Sequence, residues 1–299
     1  LLLSINGHEG RYGTCNTPAK FWAAWREEDI SDAEMYALKN KKLTVSQKQS
    51  LFSYRPVDDL NWYENLIAGG DLAVTGQDQL LISLLKPERL LEMVRLYTLF
   101  DKKAGKIVAR YQQIFGIKRL IERISTKNSK GGREGGVIWH TTGSGKSFTM
   151  VFLSKALILH EDLKQCRILV VTDRVDLEDQ LSKTFVSGGE LTGKRDKQNA
   201  MATSGKRLAE QIGKGTERIM FSLIQKFNSA TKLPECVNTS SDFIVLIDEG
   251  HRSQGGENHV RMKLALPNAA FVAFTGTPLL KDEKTVNKFT FHSFWINFF

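Results

Sequence analysis

Cysteine is scarce in this chain: three residues in 299, at Cys15, Cys166 and Cys236. They are odd in number, widely scattered and without a Cys-x-x-Cys pair. That argues against a disulfide framework or a zinc site, and a reducing cytoplasmic setting fits best. Long apolar runs are missing too. None approaches the ~20 residues needed to span a bilayer, so no membrane partner is expected. Leu1–Leu3 is too short for a signal peptide and has no basic flank. There is no internal repeat. There is no initiating Met either, and the chain opens inside an apolar run, so it reads as a fragment of something longer.

What is present is ordinary for a globular protein: 41% hydrophobic and 25% charged residues, enough for a substantial core. The length suits one large domain or two modest ones. The formal charge of +9 favours a polyanionic partner. The excess is unevenly placed. Residues 1–100 carry 11 Lys and Arg against 13 Asp and Glu, whereas 101–299 carry 31 against 20. Asp101 to Arg133 alone holds ten basic and two acidic residues. That run is either a solvated helix face or a surface turned toward phosphates.

Residues 1–60 combine a strand-like opening, a Gly-bearing turn from Asn6-Gly7 to Gly13 and an aromatic cluster, Phe21, Trp22 and Trp25, suited to core packing. From Pro87 to Phe100 the pattern is helical. Pro87 fits a first helical position, and Leu90, Leu91, Val94 and Tyr97 recur at helical spacing. Tyr111 to Ile124 is a second amphipathic helix with a stripe of Ile114, Ile117, Leu120, Ile121 and Ile124. Ser125–Gly136 is a loop rich in Ser, Lys and Gly. Short continuous apolar runs then appear at Val137–Trp139, Ile168–Val171, Ile219–Leu223, Phe243–Ile247 and Phe271–Phe274, with helix-length stretches between several of them. Continuous runs belong to strands covered on both faces. The expected fold is therefore α/β, a parallel sheet with flanking helices.

The first run leads into His140-Thr-Thr-Gly-Ser-Gly-Lys-Ser147 and then an apolar helix. A strand, a Gly-bearing turn ending in Gly-Lys-Ser and a helix make a P-loop. Gly143 and Gly145 let the backbone curl so that its N–H groups point at phosphate oxygens, and the helix adds its positive end. The cofactor-binding set is Thr141, Thr142, Gly143, Ser144, Gly145, Lys146, Ser147 and Phe148. Lys146 would reach the β- and γ-phosphates of ATP, and Ser147 would ligate Mg²⁺. The first position departs from the usual Gly or Ala: it is His140. The Phe243–Ile247 run ends in Asp248-Glu249. Carboxylates at the end of a buried strand are the second half of such a site. Asp248 would hold Mg²⁺, and Glu249 would orient and polarise the attacking water.

Asp248-Glu-Gly-His251 followed by Thr275-Gly-Thr-Pro278 resembles motifs II and III of superfamily 2 helicases and translocases. More narrowly, the chain resembles the restriction (motor and endonuclease) subunit of type I restriction–modification enzymes. Arg110-Tyr-Gln-Gln113, Trp139–Ser147, Thr172-Asp-Arg-Val-Asp-Leu-Glu-Asp-Gln180, Gln225-Lys-Phe227 and Asp248–Ser253 carry that resemblance over roughly residues 5–288. It implies that Gln113 reads the adenine edge and that Asp173 and Arg174, in motif Ia, lie near the DNA strand. It implies that Thr275 and Thr277, in motif III, couple the nucleotide site to DNA. It also implies a RecA-like P-loop domain over 101–288, a helical connector over 61–100 and the trailing part of a restriction-endonuclease-like domain over 1–60.

The activity so implied is ATP-driven translocation of duplex DNA before cleavage, in a complex with methylation and specificity subunits. The nuclease acids and lysine would precede Ser4-Ile-Asn-Gly7 and Arg11-Tyr-Gly-Thr14, and a second motor lobe would follow Lys288. Residues 289–299 form an aromatic tail matching nothing expected, and a frameshift or truncated reading frame would account for it. Two alternatives stay open from sequence: a different superfamily 2 motor, against which Arg11-Tyr-Gly-Thr14 argues, and a degenerate fragment that only binds nucleotide or aids assembly.

Overall fold

The computed structural model describes residues 1–101, 105–140, 145–187, 194–248, 257–276 and 295–298. The chain divides into two compact units, Leu1–Arg95 and Leu96–Phe299. No helix among the described residues is long and apolar enough to cross a membrane.

In the first unit, β1 (Leu2–Ile5) and β2 (Gly10–Gly13) form an antiparallel hairpin, and β3 (Ala23–Ala24) pairs antiparallel with β2. Five helices follow: α1 (Asp32–Lys39), α2 (Val45–Phe52), α3 (Val57–Ala68), α4 (Gly76–Leu84) and α5 (Pro87–Leu96). Polar side chains mark their starts. Ser31 accepts the Glu34 N–H, and Thr44 and Thr75 build reciprocal capping boxes with Gln47 and Asp78. Of the aromatic cluster, Trp25 is buried against the edge of Tyr12, while Phe21 is exposed. Proline does open α5, but the helix stops at Leu96. Its buried face runs through Arg89 and Met93, and Leu91 and Val94 point to solvent. Arg89 explains the shift. A guanidinium that reaches Glu27, Asp29 and Glu92 and lies over the Trp25 ring fixes which side of the helix faces inward.

The second unit begins with a hairpin that periodicity does not show, β4 (Thr98–Asp101) and β5 (Gly105–Val108), and then α6 (Tyr111–Ser125). The remaining elements are β6 (Gly136–His140), α7 (Lys146–Leu159), β7 (Arg167–Thr172), α8 (Val175–Ser187), α9 (Lys194–Ala200), α10 (Gly205–Lys214), β8 (Ile219–Leu223), α11 (Phe227–Ala230), β9 (Phe243–Ile247), α12 (Glu257–Ala265), β10 (Ala270–Thr275) and β11 (Trp295–Phe298). The strands form one sheet in the order β11-β6-β10-β9-β7-β8, parallel at every pairing. All five apolar runs are strands in it. β9 and β10 are buried at every residue, as strands covered on both faces must be. Leu169, Val171, Val245 and Ile247 pack with Leu208, Ile212, Phe227 and Met262 from α10, α11 and α12. Each such side chain, fully buried, contributes roughly 1.5–3 kcal/mol.

Two features of this sheet have no trace in the apolar pattern. Trp295–Phe298, from the unmatched tail, is a sheet strand beside β6, in register Trp295 to Val137. At the entry to β6, Gly135 lies against β10 so closely that a Cβ would overlap the Phe271 carbonyl. Only glycine lets the two backbones meet there.

His259 on α12 is buried, and burial first, then the Lys263 charge, depresses its pKa from 6.5 to about 4. The unfolded chain therefore binds a proton between pH 6.5 and 4 that the folded chain refuses. The neutral-imidazole contribution is present above pH 6.5 and is lost as pH falls to 4. We expect wild type to lose on the order of 2 kcal/mol more than His259→Gln between pH 7.5 and 4.5, measured by urea unfolding. Equal losses would show that His259 titrates alike in both states.

Candidate nucleotide site

A parallel sheet delivers every strand end of one polarity to one edge. β6, β9, β10, β7 and β8 therefore present their carboxyl ends together. β6, which leads to Lys146, and β9, which leads to Asp248, lie on either side of β10, so both residues emerge at that edge two strands apart.

Gly145 caps α7 in the left-handed region, φ +92°, a conformation glycine adopts without strain. The helix then starts at Lys146. Its ammonium lies 2.8 Å from Oδ1 of Asp248, the residue just past β9, whose side chain is 4% exposed. Asp248 is held in line with the sheet because its N–H donates to the Val171 carbonyl at 2.8 Å. The two residues expected to carry phosphate and metal chemistry are thus brought together from positions 102 apart in sequence. Ser147 and Phe148 are half-buried in the first turn of α7. Thr141, Thr142, Gly143, Ser144, Glu249 and Thr277 lie outside the described residues.

Gln113 is buried in the first turn of α6. Its carbonyl accepts the Arg110 N–H at 2.8 Å, and its amide donates to Thr149 Oγ1 at 2.7 Å. The Thr149 hydroxyl in turn donates to the Gly145 carbonyl at 3.2 Å. Gln113 is thus built into a chain of hydrogen bonds from α6 to the P-loop glycine. An amide offers two donors and two lone pairs, and these two bonds use one of each. Thr149 had no signal in the sequence beyond its place on the P-loop helix.

Thr275 is fully buried at the end of β10, opposite Trp139 of β6. Asp173 and Arg174 follow β7. The Asp173 carbonyl accepts from Gln225 Nε2 at 2.8 Å, and Arg174 is solvent-facing, 3.9 Å from Asp176. A half-buried ion pair, Lys226 to Glu178 at 3.2 Å, ties the turn after β8 to α8. Gln225 and Lys226 therefore brace the loop carrying Arg174. Sequence places Gln225-Lys-Phe227 within the resemblance without giving it that role.

Part of the basic run is used within the fold, while Lys106, Arg110, Arg119, Lys127 and Lys130 are exposed. Arg133 is 8% exposed and donates to the carbonyls of Ile124, Ser125 and Ser241 and to Asp242. Arg123 holds Gly135 O and Glu134, and Lys118 and Lys106 lie over Phe115 and Phe100.

Residues 112–296 match the SWI2/SNF2 ATPase family. The chain is 35% identical over 263 residues to the type I restriction enzyme HindI endonuclease subunit of Haemophilus influenzae, covering 81% of this chain and 24% of that protein. It is 30% identical over 207 residues to the type I restriction enzyme SsaAORF53P endonuclease subunit of Staphylococcus saprophyticus, covering 67% and 21%. It thus spans about a quarter or less of the curated relatives it matches. Among solved structures, the Pyrococcus furiosus Hef helicase domain aligns with a TM-score of 0.47 at 16% identity, over 63% of this chain and 37% of that one.

The Gln113–Thr149 bond generates a stability prediction. Gln113→Ala and Thr149→Val should each cost about 1–3 kcal/mol, because each leaves a buried polar group short of a partner. In a double-mutant cycle by chemical denaturation they should couple by at least about 0.5 kcal/mol. Strict additivity would mean the bond contributes nothing.

Proposed function

The chain belongs to the SWI2/SNF2 ATPase family, and on that premise we propose that residues 101–288 are a nucleotide-hydrolysing motor segment of a type I restriction endonuclease subunit. In the full-length complex, with methylation and specificity subunits, that motor would bind and hydrolyse Mg·ATP to move duplex DNA before cleavage. The observation that carries the reading is the Lys146–Asp248 pair at the carboxyl edge of the sheet, 2.8 Å apart. The endonuclease subunits to which the chain is similar give the reading its narrower context.

The residues fit the metal and nucleotide that the family implies. Asp248 is a buried carboxylate already matched with a cation, and Ser147 stands in the adjoining first turn of α7. Ser147 and Asp248 would hold Mg²⁺, which when bound neutralises charge on the phosphate oxygens. Lys146 would bind the β- and γ-phosphates, with the N–H groups of residues 141–145 around them. Glu249 would orient the water that attacks the γ-phosphorus. The bond to the bridging oxygen breaks, ADP leaves with its electron pair, and the water's proton is lost to the carboxylate or solvent. Gln113 would read adenine with its remaining donor and acceptor. Asp173, Arg174, Thr275 and Thr277 would link this edge to the DNA strand, Arg174 through a phosphate. Residues 1–60 would be the trailing part of the nuclease domain and 61–100 a connector; their folding within one unit ending at Arg95 is compatible with a common origin.

Calorimetric titration tests the nucleotide reading. Mg·ATP should bind the chain, and Lys146→Ala should weaken binding at least tenfold, or more than about 1.4 kcal/mol. ATP should be preferred over GTP, with Gln113→Ala eroding the preference. Equal affinity in wild type and Lys146→Ala would remove the P-loop assignment.

Duplex binding should be weak, non-specific and steeply salt-dependent, with log K falling by about 0.9 per phosphate for each unit of log salt. Anisotropy at several salt concentrations should show a smaller slope for Arg174→Ala. Salt-independent binding, or a slope unchanged by Arg174→Ala, would take the motif Ia loop out of the DNA interface.

A further inference from the structure

The carboxyl edge of the sheet does not use all of the second unit's buried positive charge. At the opposite edge, where β6 and β10 begin, the loop after α6 and the end of α12 enclose a cavity of about 390 Å³. Among the described residues, four cations line it, Arg123, Lys130, Arg133 and Lys263, against one lining carboxylate, Glu134, with Asp242 behind Arg133. Phe271 and Pro267 supply an apolar wall.

The wall is rigid. Arg133 is locked by three carbonyls and Asp242, and Arg123 by Gly135 O and Glu134. Their charge is held in place whether or not a ligand is there. The loop is pinned as well. Asn128 Oδ1 accepts the N–H groups of Lys130 and Gly132, both at 3.0 Å, and Gly131 turns at φ +80°. Across from them, Lys263 is partly buried with its ammonium 5.9 Å from the centre of the Phe271 ring. Burial pushes the pKa of that ammonium down, which a nearby anion would reverse.

We propose that this cavity is a second anion site, distinct from the P-loop, that takes a phosphate group between Lys130 and Lys263. The two arginines are ion-paired with Glu134 and Asp242 and frame the cavity, so its net positive charge is that of the two lysines, whose ammonium groups would supply donors to a tetrahedral oxyanion. The Ser129 hydroxyl, also in the lining, adds a neutral donor. Recognition would rest on the phosphate group rather than on a base, because Phe271, only 8% exposed, offers no open ring face to stack on. A phosphate here would join the loop that leads into β6 to the end of α12. The inference stands apart from the proposed motor function: it uses no residue of the carboxyl edge.

The P-loop would also bind phosphate, so the test removes it first. Inorganic phosphate is titrated into the full chain carrying Lys146→Ala, by calorimetry and by thermal shift. One saturable site should remain. Adding Lys263→Met should weaken it at least tenfold. Adding Lys130→Ala, a change at an exposed loop residue that leaves the core untouched, should weaken it severalfold and guards against misfolding of the first variant. No saturable binding in Lys146→Ala, or binding that neither second substitution weakens, would overturn the proposal. A short duplex added as competitor identifies the source. Displacement of phosphate supports the site and assigns it to the DNA backbone. Failure to displace supports it as a site for a free phosphate or phosphate ester.

Discussion

Asp248 ends a strand with no exposed residue, and a carboxylate there must be given positive charge or be driven neutral. Lys146 gives it that charge, and the geometry needed to do so organises the second unit. β6 and β9 must run the same way for their ends to share an edge. They are not neighbours, because β10 lies between them. At ~4.8 Å per strand, the gap from the P-loop strand to β9 is about 10 Å. A lysine at the first residue of α7 can cover it; a shorter cation would fall short. The glycine turn at Gly145 and the start of α7 at Lys146 set the point from which that distance is closed.

Under the proposed function, the same pair explains how the site can exchange partners. A triphosphate brings several anionic oxygens toward Lys146, and an ammonium shared among them holds Asp248 less tightly. The carboxylate then needs another cation, and a divalent one with Ser147 beside it meets that need. Nucleotide and metal would rearrange those charges together. Nothing in this requires α7 to move, because the Thr149–Gly145–Gln113 hydrogen bonds fix its first turn from behind.

How much of this could be read from sequence depended on whether an element's cause was local. β7, β8, β9 and β10 were legible because strands buried on both faces must be continuously apolar. Lys146 and Asp248 were legible because a Gly-bearing turn and an acid at a strand end each have a local pattern. Arg89 shows the opposite case. It turns α5 so that Leu91 and Val94 face solvent, and its partners Glu27 and Asp29 lie some 60 residues away. The edge strand Trp295–Phe298 was illegible for a related reason. Its pairing with β6 spans most of the second unit, so a tail that looked foreign by composition is in fact paired with the strand that carries the P-loop. Lys226 and Glu178 are two ordinary surface residues until β8 and α8 are set side by side.

Ten basic residues between 101 and 133 suggested a face for polyanions. Yet Arg133, at the end of that run, is one of the most fully hydrogen-bonded side chains in the unit, and its neighbour Arg123 is used to clamp the entry to β6. Arginine suits that work because its guanidinium stays charged and presents five donors in a fixed plane. Asp242 and Glu134 oppose those two guanidinium charges, so the net positive charge lining the cavity is that of Lys130 and Lys263. Five- and six-residue strands span ~17–20 Å, so that charge sits at the far edge from Lys146. The unit therefore has two concentrations of positive charge at opposite ends of one sheet. At one, Asp248 meets Lys146; at the other, Glu134 and Asp242 pair with two arginines and two lysines line the same cavity.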